Sequence, residues 1–70
     1  MERISVSSSN LSSVGYDVKS ATLEVEFHNG GVYQYSLVPE AIYNGLMAAP
    51  SVGRYFAAYI KDSYSCRKLT

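Results

Sequence analysis

The stretch Phe27-His28-Asn29-Gly30-Gly31-Val32-Tyr33-Gln34-Tyr35 decides the fold of this chain. Upstream of it, Leu23, Val25 and Phe27 alternate with Thr22, Glu24, Glu26 and His28, a period of two that marks a strand with one buried face. Downstream, Tyr33, Tyr35 and Leu37 share one face and Val32, Gln34 and Ser36 the other. The tyrosine face is larger and more apolar, so it joins Phe27. A two-residue turn at Asn29-Gly30 would pair Phe27 with Val32 and bury the wrong face, because a slip of one residue inverts every side chain. A three-residue loop, Asn29-Gly30-Gly31, keeps the apolar faces together. It pairs His28 with Val32 and sets Phe27 opposite Tyr33, Val25 opposite Tyr35 and Leu23 opposite Leu37. Loops of this length end in a residue at positive φ that forms a bulge, which Gly30 or Gly31 supplies at no steric cost.

The reading extends outward from the hairpin. Val14, Tyr16 and Val18 alternate with Gly15, Asp17 and Lys19. A two-residue turn at Lys19-Ser20 sets Val18 opposite Ala21, Tyr16 opposite Leu23 and Val14 opposite Val25. Gly15 in mid-strand predicts a bulge or the close approach of another backbone. Residues 3–7 form a short first strand. After the hairpin the period changes. Val38-Pro39-Glu40 starts a helix, and Ile42, Leu46 and Ala49 follow at helical spacing, with Tyr43 and Met47 beside them. Pro50 ends it, and Ser51 caps a second helix. The inner stripe of that helix is Val52, Phe56, Tyr59, Ile60 and Ser63, with Arg54, Ala58 and Lys61 on the other side. Residues 65–70 suit an edge strand or a loose tail equally. The expected architecture is α+β: one domain over residues 1–70, with an antiparallel three- to four-stranded β-meander covered on one face by two C-terminal helices.

Size limits the core. A 70-residue chain buries only about 60% of its unfolded surface. Cys66 stands alone, so no disulfide helps, and seven Tyr and two Phe must supply the packing. A homodimer would add buried area. One cysteine and no signal peptide point to a reducing cytoplasm. No apolar run approaches the roughly 20 residues of a membrane span. Formal net charge is zero, but the charges are sorted along the chain. Residues 1–53 carry Arg3 and Lys19 against Glu2, Asp17, Glu24, Glu26 and Glu40, net −3; residues 54–70 carry Arg54, Lys61, Arg67 and Lys68 against Asp62, net +3. Basic groups late in a helix complement its dipole; clustered, they also form a surface for phosphate.

One ordered set of residues carries a family resemblance. Gly15-Tyr16-Asp17 precedes Leu23, Val25 and Phe27, then Gly31, Tyr33 and Tyr35, then Val38-Pro39. Ser51, Gly53, Tyr55-Phe56, Ile60-Lys61 and Tyr64 complete it. Over roughly residues 4–65 this resembles the KTSC domain, a short domain named for the lysyl-tRNA synthetase C-terminus that some copies occupy. The resemblance implies a small single-domain bacterial protein. Through the synthetase-attached copies it also implies RNA or tRNA as a partner.

The residues that could carry chemistry are few. His28 is the only histidine; with Glu24 and Glu26 on its strand face it falls short of the three or four converging ligands a metal needs. No metal and no cofactor is expected. A nucleophilic Cys66 would depend on His28, far away in sequence. No Gly-x-Ser-x-Gly elbow exists, and Asn29-Gly30-Gly31 lacks the lysine and helix of a phosphate-cradling loop. The reading is therefore non-enzymatic, with no catalytic residue. Tyr33 and Tyr35 could stack bases on an open sheet, but the register turns them towards the helices. The second helix N-terminus is the better phosphate site, with Ser51, Gly53, Arg54 and Tyr55, Lys61 one face away, and Arg67 and Lys68 in the tail. Two roles follow: an RNA-binding module using these residues, or a protein-interaction adaptor acting through a sheet edge or self-association.

Overall fold

A computed structural model describes all 70 residues. Five strands form one antiparallel sheet in chain order: β1 (Ile4–Ser5), β2 (Leu11–Asp17), β3 (Thr22–Phe27), β4 (Val32–Tyr35) and β5 (Cys66–Lys68). Between β4 and β5 the chain forms α1 (Glu40–Ala48) and α2 (Val52–Tyr59). The α+β class and the two covering helices are as expected. The sheet is wider, because the tail forms β5, and β1 is only two residues long.

The β2–β3 register matches expectation in the middle, with Val14 opposite Val25 and Tyr16 opposite Leu23. Its turn is longer than expected. Asp17 accepts hydrogen bonds from Lys19 N (3.2 Å) and Ser20 Oγ (2.8 Å), so pairing stops at Asp17–Thr22. Val18 leaves the strand and is exposed, and Ala21 takes a positive φ of 54°. The irregularity in β2 lies between Leu11 and Ser13, while Gly15 marks a close approach: a Cβ there would meet the Glu2 carbonyl oxygen at 2.5 Å.

The β3–β4 hairpin puts the expected face inward, but its register is shifted by two residues. Val25 pairs with Tyr33 and Leu23 with Tyr35, where Phe27–Tyr33 and Val25–Tyr35 were expected. The loop is three residues long, but they are His28-Asn29-Gly30. Gly30 N donates to Phe27 O (2.9 Å), Phe27 N donates to Gly31 O (2.9 Å), and Gly30 has φ 93°. The Asn29 side chain accepts from Gly31 N at 2.9 Å. A shift of two preserves parity, so the faces survive the change of partners. Leu37, expected opposite Leu23, lies beyond the strand, exposed and at φ 57°.

The helices lie on the apolar face. Leu11, Val14, Leu23, Val25 and Tyr35 from the sheet meet Val38, Leu46, Phe56 and Ile60 in one core. Ser51 caps α2, its Oγ accepting from Arg54 N at 3.3 Å. Phe56 and Ile60, four residues apart, point inward. Tyr59 does not: it is 56% exposed and packs on Tyr55, 4.7 Å between centroids. The helix stops at Tyr59, with Ile60 as its C-cap, so the stripe expected to reach Ser63 ends early and Ser63 is exposed. Tyr16 stacks on Tyr43 of α1 at 4.8 Å and 9°, and its hydroxyl donates to Val38 O. No helix is long and apolar enough to cross a membrane.

Candidate ligand groove between the hairpin and the second helix

The helices leave the hairpin end of the apolar face uncovered. A groove of about 700 Å³ runs there, with α2 as one wall and the hairpin tip as the other. Four rings lie along it in an edge-to-face series: Tyr33 on Phe27 (5.5 Å, 84°), Phe27 on Phe56 (5.6 Å, 72°) and Phe56 on Tyr35 (5.5 Å, 81°). Such contacts set the negative face of one ring against the positive edge of the next. Tyr35 is 4% exposed and Tyr33 is half-buried. The expectation that both tyrosines turn towards the helices therefore holds, and Tyr33 also lines open space.

Polar groups line the rim. His28, exposed as a turn residue, sets Nε2 at 2.8 Å from Ser8 O. A carbonyl only accepts, so Nε2 carries the proton and Nδ1 is the acceptor of the neutral ring. Asn10 and Asn29 lie on the hairpin side; Lys61, Asp62 and Cys66 lie where α2 runs on into β5. Burial pushes the Tyr35 phenol up to about 12, and its neighbour Cys66 adds to the shift. His28, Asp62 and Cys66 share the groove but do not converge closely enough to hold a metal ion.

Strand pairing sorts the charges. Lys68 pairs with Tyr33 and Cys66 with Tyr35, so both lie on the groove side of the sheet. Arg67 pairs with Gln34 and donates to its Oε1 (3.4 Å) on the opposite face. That face carries a polar network from Arg3, just before β1, across β2 to β5. Arg3 Nε donates to Ser13 Oγ (3.0 Å), and Arg3 Nη1 donates to Glu24. Ser13 Oγ donates to Glu26 (3.0 Å) and Gln34 Nε2 to Glu24 (2.9 Å). The Gln34 hydrogen bond first, and Arg3 second, hold the buried Glu24 carboxyl below the usual carboxylate range, against the cost of its burial.

The seven sequence-selected residues are therefore dispersed. Gly53 and Lys61 line the groove and Lys68 lies on its side of the sheet. Arg67 belongs to the opposite face. Arg54 is exposed, and the Ser51 hydroxyl is already engaged by the helix it caps. Tyr55 packs on Tyr59, its hydroxyl end against Gly45 of α1. Sequence reasoning did not single out Asn10, Asn29, Phe56 or Asp62 as groove residues. A second hollow, about 600 Å³ beside Tyr16 and Tyr43, carries Glu2 and Asp17 and no lysine or arginine.

The KTSC domain model matches residues 7–64. The chain belongs to the KTSC domain family. This KTSC domain is 41% identical over 64 residues to an uncharacterised protein of Stutzerimonas stutzeri, covering 91% of this chain and 90% of that one. A lysine–tRNA ligase of Nostoc punctiforme is 38% identical over 55 residues, which is 79% of this chain but 10% of the ligase. The crystal structure of a KTSC domain protein from Yersinia pestis superposes with a TM-score of 0.96 at 43% identity, covering 99% of this chain and 97% of that one.

Proposed function

We propose that this KTSC domain is a non-catalytic module that binds single-stranded RNA on its groove side. One observation carries the reading: Lys61 and Lys68 share a side of the sheet with a half-buried Tyr33, while Glu24 and Glu26 face the other way beside Arg3. Cations beside aromatic rings are the combination single strands bind, because charge tracks the backbone and rings take the bases. The likeness to a segment of a lysine–tRNA ligase supports the same partner class. Titration of a labelled single-stranded RNA at about 50 and 200 mM salt tests it. Two phosphate contacts, Lys61 and Lys68, give a log–log slope near −1.4 and a loss of roughly 7-fold across that range. No binding at the lower salt refutes the reading.

A second reading rests on β5, one of the two edge strands, whose three residues are all exposed. A strand from a partner protein or a second copy could pair with that free edge. Arg67 and Lys68 are the charged residues that commonly guard such edges. Sedimentation of the pure protein checks the self-pairing version; a monomer at all concentrations refutes it.

A further inference from the structure

We infer that the groove receives one unstacked nucleobase of the bound strand, an inference that rests on the RNA reading. Its volume of about 700 Å³ falls within the roughly 300–1,000 Å³ of small-molecule sites. Flat apolar faces suit the occupant, because the half-buried Phe27 and Tyr33 present ring surface to the groove, with the buried Phe56 and Tyr35 continuing the series beneath. A polar edge suits it as well. Asn10, His28 and Asn29 on one side and Asp62 on the other are exposed along the groove, and their polar atoms other than those spent on Ser8 O and Gly31 N are free to pair with such an edge. Finally, it must carry negative charge at one end. Lys61 lines the groove and Lys68 lies on the same side, against the single carboxylate of Asp62. A base joined to its phosphate meets all three requirements; an aliphatic peptide meets only the first in part.

The test blocks the groove without touching the core. Ala57 is exposed on α2 and lines the groove, so Ala57→Trp fills the space while folding is checked by circular dichroism. Wild type and A57W are titrated with a uridine decamer, the same decamer lacking its bases, and free AMP and UMP. The expected result is a loss of roughly 5- to 150-fold for A57W with the decamer, matched by the loss on removing the bases from the strand. The salt slope should be the same in both proteins. Equal decamer binding by folded A57W overturns the inference and leaves the RNA reading standing. If the decamer fails to bind at low salt, while AMP and UMP bind wild type and not A57W, the groove is a nucleotide site and the RNA reading falls. Binding of nothing overturns both. A wild-type dimer dissolved by A57W, with nucleotide binding unchanged, assigns the groove to a second copy and overturns the inference.

Discussion

Gly15→Ala should destabilise the domain by about 1–2 kcal/mol, and the size of the loss can be worked out from what lies above β2. The added Cβ would meet Glu2 O at 2.5 Å, Arg3 Cγ at 3.1 Å and Met1 Cγ at 3.2 Å. The first of these is backbone and cannot swing away as a side chain would. If residues 1–3 stay in place, overpacking costs about 1–3 kcal/mol. If they lift, Arg3 loses Ser13 and Glu24. Hydrogen bonds to charged groups contribute about 1.5–3 kcal/mol. The Arg3 side chain is 30% exposed, so solvent screening brings that towards the lower end. Against either route, Ala restricts the unfolded chain and returns about 0.4–1 kcal/mol. At about 4–8 °C per kcal/mol for a domain of this size, the midpoint should fall by roughly 5–15 °C.

The two routes separate in a double-mutant cycle with Arg3→Ala, read by chemical denaturation. If the terminus lifts, Arg3→Ala costs nothing further in the Gly15→Ala background. If it stays, the two losses add. A Gly15→Ala protein as stable as wild type would refute the reasoning, because it would mean that residues 1–3 do not cross β2 at Gly15.

Three further outcomes follow from single groups. The Glu24 carboxyl is held below its ordinary range, so its contribution is present above the unfolded value and is lost as pH falls through the folded one. Glu24→Gln should therefore cost stability at neutral pH, and its deficit should shrink as urea melts are moved from about pH 5 to pH 2; a constant deficit contradicts this. The Tyr35 phenol, pushed up to about 12, stays protonated in the fold while the unfolded chain ionises near 10. Stability should thus fall as pH rises from about 10 to 12, and Tyr35→Phe should remove that part of the loss, which alkaline denaturation reads directly. Leu37 is 76% exposed at φ 57°, a conformation costing an L-residue about 1–2 kcal/mol. Leu37→Asn should raise stability by about 0.5–1 kcal/mol, since Asn tolerates that region; a loss would show that the Leu37 side chain contributes packing that outweighs its strain.

Which face of each strand is buried was legible because alternation is a local property, and Leu23, Val25 and Phe27 can be read without their partners. The hairpin register was not. His28-Asn29-Gly30 and Asn29-Gly30-Gly31 are both three-residue loops of the same parity, and both place a glycine last. Only the turn itself, with Gly30 at positive φ and Gly31 returned to the ladder, separates them. Alternation also could not decide β5, whose residues are all exposed and carry no burial pattern, whereas the short first strand expected over residues 3–7 is present as β1. The groove was illegible for another reason. It joins segments around Asn10, Phe27–Asn29, Tyr33–Tyr35, Gly53–Ala57 and Lys61–Cys66, which only the folded sheet brings together. The local hints were Gly53 and Lys61, selected for phosphate, and Tyr33-x-Tyr35, which parity assigned to the core without revealing that the helices stop short of Tyr33.

The same alternation alters what the basic C-terminal segment can do. In sequence, Arg67 and Lys68 are adjacent and look like one patch. On β5 they point to opposite faces, Arg67 towards Gln34 and Lys68 to the side of Tyr33. Their substitutions should therefore separate. Lys68→Gln removes a cation from the groove side, so it should weaken RNA binding and reduce the salt slope by about 0.7 while leaving stability within about 0.5 kcal/mol. Arg67→Gln removes the end of the network that runs through Gln34 to Glu24, an exposed link at 3.4 Å, so it should change neither property by much. Measured side by side at one salt concentration, equal losses of RNA affinity would mean that the strand wraps around the β5 edge and uses both faces, and the groove side would then no longer account for binding by itself. Unequal losses, with Lys68 the larger, require that RNA meets the sheet from the side where its aromatic residues lie.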